Sequence, residues 1–341
     1  MTTVSEPRER PNAFALLRRT AGQLQGLTLL PVIVLVFVIG AFTTNGSFLT
    51  VSNLISVGKL STALAVVVVA ECIILIAGKI DLSLQSIFGL APTVGAWLAT
   101  SHAVGGSGLN LDPYLAMAAT IAVGALVGAV NAFLVAYVRL NAFILTLAML
   151  ILLQGVQLGI TSGKTLYDLP APMLWIGSAT LLGVPVDIWT AILVFVIGGI
   201  VLRQTRYGRS LYAVGGRALA ARAAGINDRL VLSVAFIIGG ALAAFGGLIL
   251  TANLTAVSST QGNNLIFSVF AAAVIGGVSL NGGRGGLLGA LTGVILIALI
   301  TNILTLSGFE PFWIDAASGL IIVIALLIAR FTTGEAEDED A

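Results

Sequence analysis

The fold class of this chain is decided by one stretch, Ser56-Val-Gly-Lys-Leu-Ser-Thr-Ala-Leu-Ala-Val-Val-Val-Val-Ala-Glu-Cys-Ile-Ile-Leu-Ile-Ala77. A helix that crosses a bilayer needs about 20 mainly apolar residues, and this stretch is long enough. Most of its positions are apolar, and the run from Ala63 to Ala70 is uninterrupted. A helix of that kind is buried in lipid or in a large protein core.

Similar apolar stretches recur along the whole chain. The ten candidate spans cover residues 27–43, 56–77, 84–101, 115–137, 142–162, 187–203, 230–251, 265–279, 286–306 and 312–330. The eighth span is short and contains Gly276 and Gly277, so it either crosses with a tilt or is a half-helix. The sequence therefore predicts an all-α integral membrane protein of about ten transmembrane helices, with a membrane domain over residues 27–331.

Composition agrees with a membrane environment. The 341 residues are 58% hydrophobic and 9% charged, whereas a soluble domain carries about 25% charged residues. We expect membrane lipid around the chain, and the net charge of +1 gives no reason to expect nucleic acid. The polar segment 1–26 leads into the first span with no small-residue cleavage site after it, which favours a retained helix over a signal peptide.

The basic residues predict the orientation. With ten spans and the N-terminus inside, fourteen of the sixteen Lys and Arg residues face the cytoplasm, and only Lys59 and Lys164 lie outside. A topology with one span more or one span fewer would distribute these basic residues over both sides of the membrane. We therefore expect a multi-pass protein of the bacterial inner membrane, with segment 1–26, loop 204–229 and the acidic tail 332–341 in the cytoplasm.

Two pairs of motifs indicate an internal repeat. Ile76-Ala-Gly-Lys-Ile-Asp-Leu-Ser83 and Ile275-Gly-Gly-Val-Ser-Leu-Asn-Gly282 each open onto a glycine-rich helix. Asn141-Ala-Phe-Ile144 and Pro311-Phe-Trp-Ile314 each open the last helix of a four-helix block. Spans 2–5 and 7–10 are thus predicted to be two related four-helix repeats. Equivalent spans are five apart, so the repeats have inverted topology, which is common in transporters.

Loop 204–229 contains a run of strong helix formers, Ala218–Ala224, and Gly225 is placed as a C-terminal stop. A short helix between two glycine-containing turns suits the docking of another protein. The alternative is a loop whose positive charge only fixes the orientation.

Four sequence blocks together resemble the ribose-type ABC permeases. They are Gly78-Lys-Ile-Asp-Leu-Ser83, Asn141-Ala-Phe-Ile-Leu-Thr-Leu147, Arg206-Tyr-Gly-Arg-Ser-Leu-Tyr-Ala-Val-Gly-Gly216 with Ala220-Ala-Arg-Ala-Ala-Gly-Ile226, and Val274-Ile-Gly-Gly-Val-Ser-Leu-Asn-Gly-Gly-Arg-Gly285. The blocks keep the family order and cover the chain from about residue 55 to residue 330. The chain departs from the family pattern at Lys79 and Gln85, where glycine is usual, and at Asn141, where proline is usual.

This resemblance implies a permease subunit of an ATP-binding-cassette importer for a monosaccharide such as a pentose, a hexose or a related polyol. It implies a second permease copy or paralogue, two ATPase subunits and a periplasmic sugar-binding protein as partners. It makes the short helix of loop 204–229 the coupling helix, which sits in a cleft of the ATPase. The residues expected to couple are Arg209, Arg217, Ala220, Ala221, Arg222, Ala224 and Gly225.

Within this coupling set, the small Ala221 and Ala224 are expected to let the helix seat deeply. Arg209 and Arg222 are expected to reach acidic groups of the ATPase. The chain itself should be no enzyme and bind no cofactor, because ATP is used by the partner. Gly163-Lys-Thr165 resembles the end of a Walker A loop, but Leu158 stands where that loop needs its first glycine.

Titratable groups at membrane depth are candidates for a transport pathway. Asp81 lies at the cytoplasmic end of the second span, where we expect water to reach it; with Ser83 close behind, it either caps the next helix or lines a pathway. Glu71 lies deeper, and it either makes a structural hydrogen bond or belongs to a polar pathway. As the only deep carboxylate, Glu71 also defines the alternative function, an ion- or proton-coupled secondary transporter of a small polar solute.

Two further groups are candidates. Spans 5 and 10 begin with hydrogen-bonding and aromatic residues that suit either a sugar path or anchoring at the membrane interface: Asn141, Phe143, Thr146, Phe312, Trp313 and Asp315. The ninth span repeats glycine every fourth residue, at Gly285, Gly289 and Gly293. One helix face made of glycines lets a neighbouring helix approach closely, and a substrate site is the alternative. We expect no metal site, since His102 has no second His or Cys near it in sequence.

Overall fold

The computed structural model describes residues 29–44, 46–310, 312–314, 316, 317, 319, 320 and 323. The helices named here are α1 (Leu30–Thr43), α2 (Val51–Ile76), α3 (Leu84–Ala99), α4 (Pro113–Ala132), α5 (Ala142–Thr161), α6 (Ala171–Ser178), α7 (Val186–Gln204), α8 (Arg206–Ala223), α9 (Asp228–Leu254), α10 (Leu265–Ile275) and α11 (Leu287–Leu306). A π-helical turn, Phe133–Tyr137, extends α4, and two short strands, β1 (Thr180–Leu181) and β2 (Val184–Pro185), form an antiparallel hairpin before α7. The predicted segments 1–26 and 332–341, and much of the predicted span 312–330, lie outside the described residues.

Six helices of the described chain are long and apolar enough to cross a membrane: α2, α4 with its π-helical turn, α5, α7, α9 and α11. Helices α1, α3 and α10 are apolar but shorter. The prediction of an all-α membrane protein is confirmed in this form. The predicted total of ten spans is not reached by the helices that the described residues contain.

Several helices begin where a polar side chain ends the preceding loop. Asp112, Asn141 and Asn227 each accept a hydrogen bond from a backbone N–H in the first turn of α4, α5 and α9 respectively. These N–H groups have no partner within the helix itself. The three caps therefore fix where the spans start, and Asn141 does so at a position where the resembling family has proline.

Helices α2 and α9 form the interior of the bundle. Helix α9 packs against α2, α3 and α4, and α2 also contacts α7, α10 and α11. In its most apolar window α2 is 78% buried, whereas α5 is 17% buried and α7 is 22% buried. The outer faces of α5 and α7 are therefore available to lipid or to another protein chain.

Glycine allows α4 and α9 to cross in close contact. A Cβ atom added at Gly124 would meet the carbonyl oxygen of Gly240, and one added at Gly128 would meet that of Phe236. Small residues at such a crossing are how membrane helices gain van der Waals contact, because lipid offers no hydrophobic drive for helix association.

Helix α10 has eleven residues and is about 16 Å long. The hydrocarbon core of a bilayer is about 30 Å thick. Of the two alternatives for the eighth span, the half-helix is therefore the one observed. It ends at Ile275, where Gly276 and Gly277 turn the chain towards α11.

Candidate translocation and coupling sites

A cluster of buried polar side chains lies where α2, α3 and α4 meet. The Asp81 backbone N–H lies 3.4 Å from Glu71 Oε1. Ser83 donates its hydroxyl to Asp81 Oδ1 at 2.6 Å, and Asn131 donates its amide to Ser83 Oγ at 2.8 Å. All four side chains are fully buried. One oxygen each of Glu71, Asp81 and Asn131 has no hydrogen-bond partner among the described residues.

Helix α5 is tied to the same cluster through Thr146. Its hydroxyl accepts from the Leu82 N–H at 3.1 Å and lies 3.4 Å from the Ile80 carbonyl oxygen. The structure thus brings together four of the predicted pathway residues, Glu71, Asp81, Ser83 and Thr146. Asn131 completes the cluster but was missed by the sequence analysis. It is a polar residue in the otherwise apolar fourth span, the same anomaly that drew attention to Glu71.

The expectation that water reaches Asp81 is wrong, because its side chain is completely buried. The loop that carries it turns inwards and is covered by Asn131 of α4 and Thr146 of α5. Asp81 Oδ1 also accepts the Ser83 backbone N–H at 2.9 Å, directly before α3 begins. The carboxylate therefore orders the turn into α3 from inside the protein.

The remaining predicted pathway residues lie elsewhere. Asn141 and Phe143 are exposed at the start of α5. Phe312 and Trp313 are also exposed, and their ring centroids are 5.8 Å apart. Among the described residues, no hydrogen bond joins these four side chains to the Glu71–Asp81 cluster. Asp315 lies outside the described residues.

The three glycines of the predicted ninth span do not share one helix face. Gly289 and Gly293 lie in α11, where an added Cβ would meet the carbonyl oxygens of Gly276 and Ala272 respectively. Gly285 precedes the helix, which starts only at Leu287. It has φ +124 and packs against Val278. The prediction was wrong for Gly285 because the chain turns there before α11 begins.

Three backbone segments meet at glycines close to the Glu71–Asp81 cluster. They are the loop after α2, the middle of α8 and the loop before α11. The Gly283 N–H donates to the Ile76 carbonyl oxygen at 2.9 Å. A Cβ at Gly215 would meet that same carbonyl, and one at Gly282 would lie 2.6 Å from the Gly78 Cα atom. We call Gly78, Gly215 and Gly282 with Gly283 the glycine junction; it leaves no room for side chains between the segments.

The first half of α8 is anchored to the bundle. The Tyr207 hydroxyl donates to the Val231 carbonyl oxygen at 3.1 Å, and the Tyr212 hydroxyl donates to that of Gly285 at 2.9 Å. Burial raises the pKa of both tyrosine hydroxyls, so both stay protonated and able to donate. Leu211 between them is fully buried.

The predicted short helix 218–224 is the second half of α8. At Arg217 the backbone leaves the helical region, with φ −159 and ψ 93, and the helix resumes until Ala223. Gly225 follows in the left-handed region, with φ +82. The helical run and its stop are as predicted. The chain before Arg217 is not the predicted turn but a further helical segment, because Gly215 packs against the bundle.

The second half of α8, which we call the coupling segment (residues 218–223), has one buried and one exposed face. Ala221 is 4% exposed and packs into the chain's own core, so the expectation that it contacts an ATPase is wrong. Leu219, which the sequence analysis missed, is 74% exposed. The loop also contains Leu211 and Val214, which are buried, so the sequence alone does not single out Leu219 as the exposed apolar side chain.

The other predicted coupling residues are mostly on the surface. Arg217, Ala220, Ala224 and Gly225 are exposed, and the Arg209 guanidinium lies 3.3 Å from the Gln204 carbonyl oxygen. Arg222 is also exposed, but its Nε lies 3.0 Å from Asp228 Oδ2 at the start of α9. Arg222 thus already has an acidic partner within the chain.

Comparison with known proteins places the chain in a family. A family model described as branched-chain amino acid transport system / permease component matches residues 53–326. The ribose import permease protein of Escherichia coli K12 is 32% identical over 305 residues, which make up 88% of this chain and 92% of that protein. The ribose import permease protein of Haemophilus influenzae is 30% identical over 84% of this chain and 88% of its own length.

A third relative is named for a different substrate. The autoinducer 2 import system permease protein of Escherichia coli K12 / DH10B is 30% identical over 88% of this chain and 85% of its own length. The proteins of this family are permease components, so the chain is a transport subunit and not an enzyme. Since both the family model and these relatives match most of its length, the chain belongs to the family of transport-system permease components.

Proposed function

We propose that this chain is the permease subunit of an ATP-binding-cassette importer that carries a monosaccharide across the bacterial inner membrane. The observation that carries the proposal is the similarity over most of the chain to import permeases for ribose and for autoinducer 2. A periplasmic binding protein delivers the sugar. Two separate ATPase subunits hydrolyse ATP, so this chain needs no cofactor of its own.

The proposed orientation places the glycine junction and the coupling segment in the cytoplasm, together with both termini. Contacts between loops support it. The glycine junction joins the loops that carry Lys79 and Arg284 to α8, and Arg229 lies over the Tyr137 ring at 5.6 Å. These contacts gather most of the basic loops at one end of the bundle, as the positive-inside rule requires.

Two helix ends carry the same cap, which supports a relation between the two halves of the chain but not its inversion, because α2 and α10 are the second and eighth predicted spans and therefore end on the same side of the membrane. After α2, the Gly78 N–H donates to Leu75 and the Lys79 N–H to Ile74. After α10, the equivalent pair of bonds runs from Gly277 to Val274 and from Val278 to Ala273. Gly78 and Gly277 both have positive φ, +74 and +84. This is the Schellman cap, and it occurs at the positions that the two sequence motifs align.

We place the sugar path between this chain and a second copy or paralogue, along the exposed face of α5. Two glycines one turn apart, Gly155 and Gly159, lie on that face with open space above them. Glycines at this spacing are a common contact surface between membrane helices. The cytoplasmic end of the path leads towards the Glu71–Asp81 cluster.

Coupling to the ATPase runs through the coupling segment. Leu219 provides an exposed apolar contact for the ATPase cleft, and the glycine junction links α8 directly to the backbone of the two loops that follow α2 and precede α11. Motion of the coupling segment is thereby transmitted to the ends of both repeats. The anchored tyrosines Tyr207 and Tyr212 keep the first half of α8 moving with the bundle.

The experiment is uptake by a reconstituted complex. The chain is co-expressed with its genomic neighbours, purified and placed in proteoliposomes, and uptake of labelled ribose, xylose, arabinose and galactose is measured with and without ATP. We expect uptake of one sugar that requires ATP and the binding protein. The buried carboxylates Glu71 and Asp81 are the observation that favours a proton-coupled transporter. Uptake that persists with a hydrolysis-deficient ATPase and follows a proton gradient would establish that alternative instead.

A further inference from the structure

The segment between α9 and α10, residues 255–264, folds back into the bundle and lies alongside the second half of α5. Val257 pairs with Leu166 through two backbone hydrogen bonds of 3.0 Å, and Ser259 Oγ donates to the Gly163 carbonyl oxygen at 3.1 Å. One turn further into α5, Gln157 donates to the Ser258 carbonyl oxygen at 3.2 Å.

At its end the segment contacts α5 through a pair of side-chain amides, Asn263 and Gln154. Gln154 donates to Asn263 Oδ1 at 2.9 Å. Gln154 lies twelve residues after Ala142, which is about 18 Å along a helix about 30 Å long. Because α5 is one of the membrane-crossing helices, this contact lies near the middle of the membrane. Asn263 and its neighbour Asn264 are exposed there.

Two buried side chains inside the bundle, Gln85 and Gln261, fix the position of the segment that carries Asn263. Gln85 Oε1 accepts the Ile266 N–H at 3.3 Å in the first turn of α10, and Gly262 lies against the Gln85 backbone. Gln261 donates to the carbonyl oxygens of Phe88 and Gly247 at 3.3 and 3.1 Å. Hydrogen bonds to α3, α5 and α9 therefore hold the segment in place inside the bundle.

Exposed amides at this depth need a polar neighbour. A polar group left in hydrocarbon without a hydrogen-bond partner costs several kcal/mol, and non-helical backbone at membrane depth occurs only inside protein or beside a water-filled cavity. Broken helices near the midplane are where many transporters bind their substrates. By this rule the exposed side of Asn263 is expected beside another protein chain or beside water, and not beside lipid.

A cavity of about 260 Å³ lies at this point. Its polar lining comes from Asn263, Asn264 and Ser268, and its apolar lining includes Leu64, Phe88 and Leu250. Pockets for drug-sized ligands have volumes of about 300–1,000 Å³, so this cavity suits a smaller molecule. Amides and a hydroxyl can donate to and accept from sugar hydroxyls, while the apolar wall suits the C–H face of a sugar ring.

We propose that Asn263, the Gln154 side chain bonded to it and the cavity that Asn263 lines form a mid-membrane station that contacts the sugar during its passage. This inference rests on the proposed function, because it names the point on the importer's path where the permease touches its substrate. It also assigns Gln85, which stands where the resembling family has glycine, to holding the entering segment in place.

The first test measures water access independently of transport. Gln154→Cys and Asn263→Cys are prepared in the assembled importer in proteoliposomes, where the native Cys72 is fully buried and silent. Leu193→Cys on the exposed face of α7 is the matched control for lipid exposure. A charged methanethiosulfonate reagent, which reacts with thiols in water, is expected to modify the first two and not the third. Inert thiols at both amide positions overturn the proposal.

The second test measures sugar contact. Gln154→Leu and Asn263→Leu keep the approximate size of the side chains and remove their hydrogen bonds. With whichever sugar of the ribose, xylose, arabinose and galactose panel the unmodified complex transports, we expect at least a tenfold loss of flux, while ATP hydrolysis stimulated by the loaded binding protein stays within twofold. Unchanged flux overturns the sugar contact even if the thiols react. A complex that transports no sugar under any condition counts against the proposed function, and the thiol result still decides whether the station is aqueous.

Discussion

Asn53 in α2 and Asn302 in α11 exchange two hydrogen bonds, each amide donating to the other's oxygen at 3.0 Å. The two residues are 249 positions apart in sequence. If the proposed repeats are correct, this pair joins the first helix of one repeat to the third helix of the other. It is one of several polar contacts between the two halves of the protein, together with the Gln154–Asn263 bond and the contact of Gln85 with Ile266.

We expect Asn53→Leu or Asn302→Leu alone to destabilise the protein by about 1 kcal/mol, because interhelical hydrogen bonds in membranes contribute about 0.6–2 kcal/mol and the remaining amide loses its partner. The double variant should be less destabilised than the sum of the two single variants. Unfolding of the purified protein in detergent, followed with increasing dodecyl sulfate, measures all three. Additive losses would mean that the pair does not act as a unit.

The coupling segment offers a contrast between neighbouring positions. We expect Leu219→Asp to abolish association with the ATPase while the permease remains folded, because Leu219 is exposed and the new charge would have to be desolvated in the cleft. Ala221→Glu should instead destabilise the permease itself, since Ala221 is buried. Thermal stability of the free permease and pull-down of the ATPase separate the two effects. A stable Ala221→Glu protein that fails only in ATPase binding would contradict the observed burial.

Helix packing at α11 can be tested with two glycines. Gly289→Leu places a side chain against the Gly276 carbonyl oxygen, and overpacking of this kind costs about 1–3 kcal/mol or more. Gly199→Leu in α7 is the matched control, because nothing lies within 4 Å of its added Cβ. We expect low yield and early thermal unfolding only for the first variant. Equal stability of both would show that α11 does not need close contact with the chain after α10.

Orientation can be tested with two cysteines at exposed positions. Ala224→Cys follows the coupling segment, and Ala103→Cys lies in the loop between α3 and α4. In intact spheroplasts an impermeant thiol reagent should label only Ala103→Cys, and in inverted vesicles only Ala224→Cys. The positive-inside distribution of the basic residues is the physical reason. Labelling of Ala224→Cys from the periplasmic side would reverse the proposed topology.

The buried carboxylates separate the two candidate mechanisms. Glu71→Gln keeps the shape of the side chain and an oxygen that can accept the Asp81 N–H, but it cannot release a proton. If ATP drives transport, we expect uptake by Glu71→Gln within about twofold of the unmodified protein and an unchanged dependence on pH. Loss of uptake together with loss of proton dependence would support a proton-coupled carrier, in which the side chain must ionise.

The sequence could predict where the spans lie, but not which of them are buried inside the protein. Lipid is as apolar as a helix interface, so the apolar runs of α2 and α5 look alike although one is buried and the other exposed. Ala221, which faces inwards, and Ala220, which faces outwards, are the same residue type side by side, so the sequence could not distinguish them. Asn131 could have been found, because it is an amide in a mainly apolar span, whereas Leu219 is one of several apolar residues in its loop.

The polar cluster and the amide pair differ in how far they could be predicted. Glu71, Asp81 and Ser83 lie within thirteen consecutive residues, so their proximity follows from the chain itself. Gln154 and Asn263 are 109 positions apart, and the segment before α10 reads as an ordinary outer loop. Only the packing of that segment against α5 reveals that it enters the membrane.

The shortness of α10 has a consequence for how the protein is made. A segment of eleven residues is too short to be integrated alone as a membrane-crossing helix, which takes about 20 residues. Its entry depends on Gln85 of α3 and on Gln154 and Gln157 of α5, which bind the backbone or side chains of the segment that leads into it. We therefore expect the eighth predicted span to settle into the membrane only after α3 and α5 have been integrated, because these two helices supply its hydrogen-bond partners.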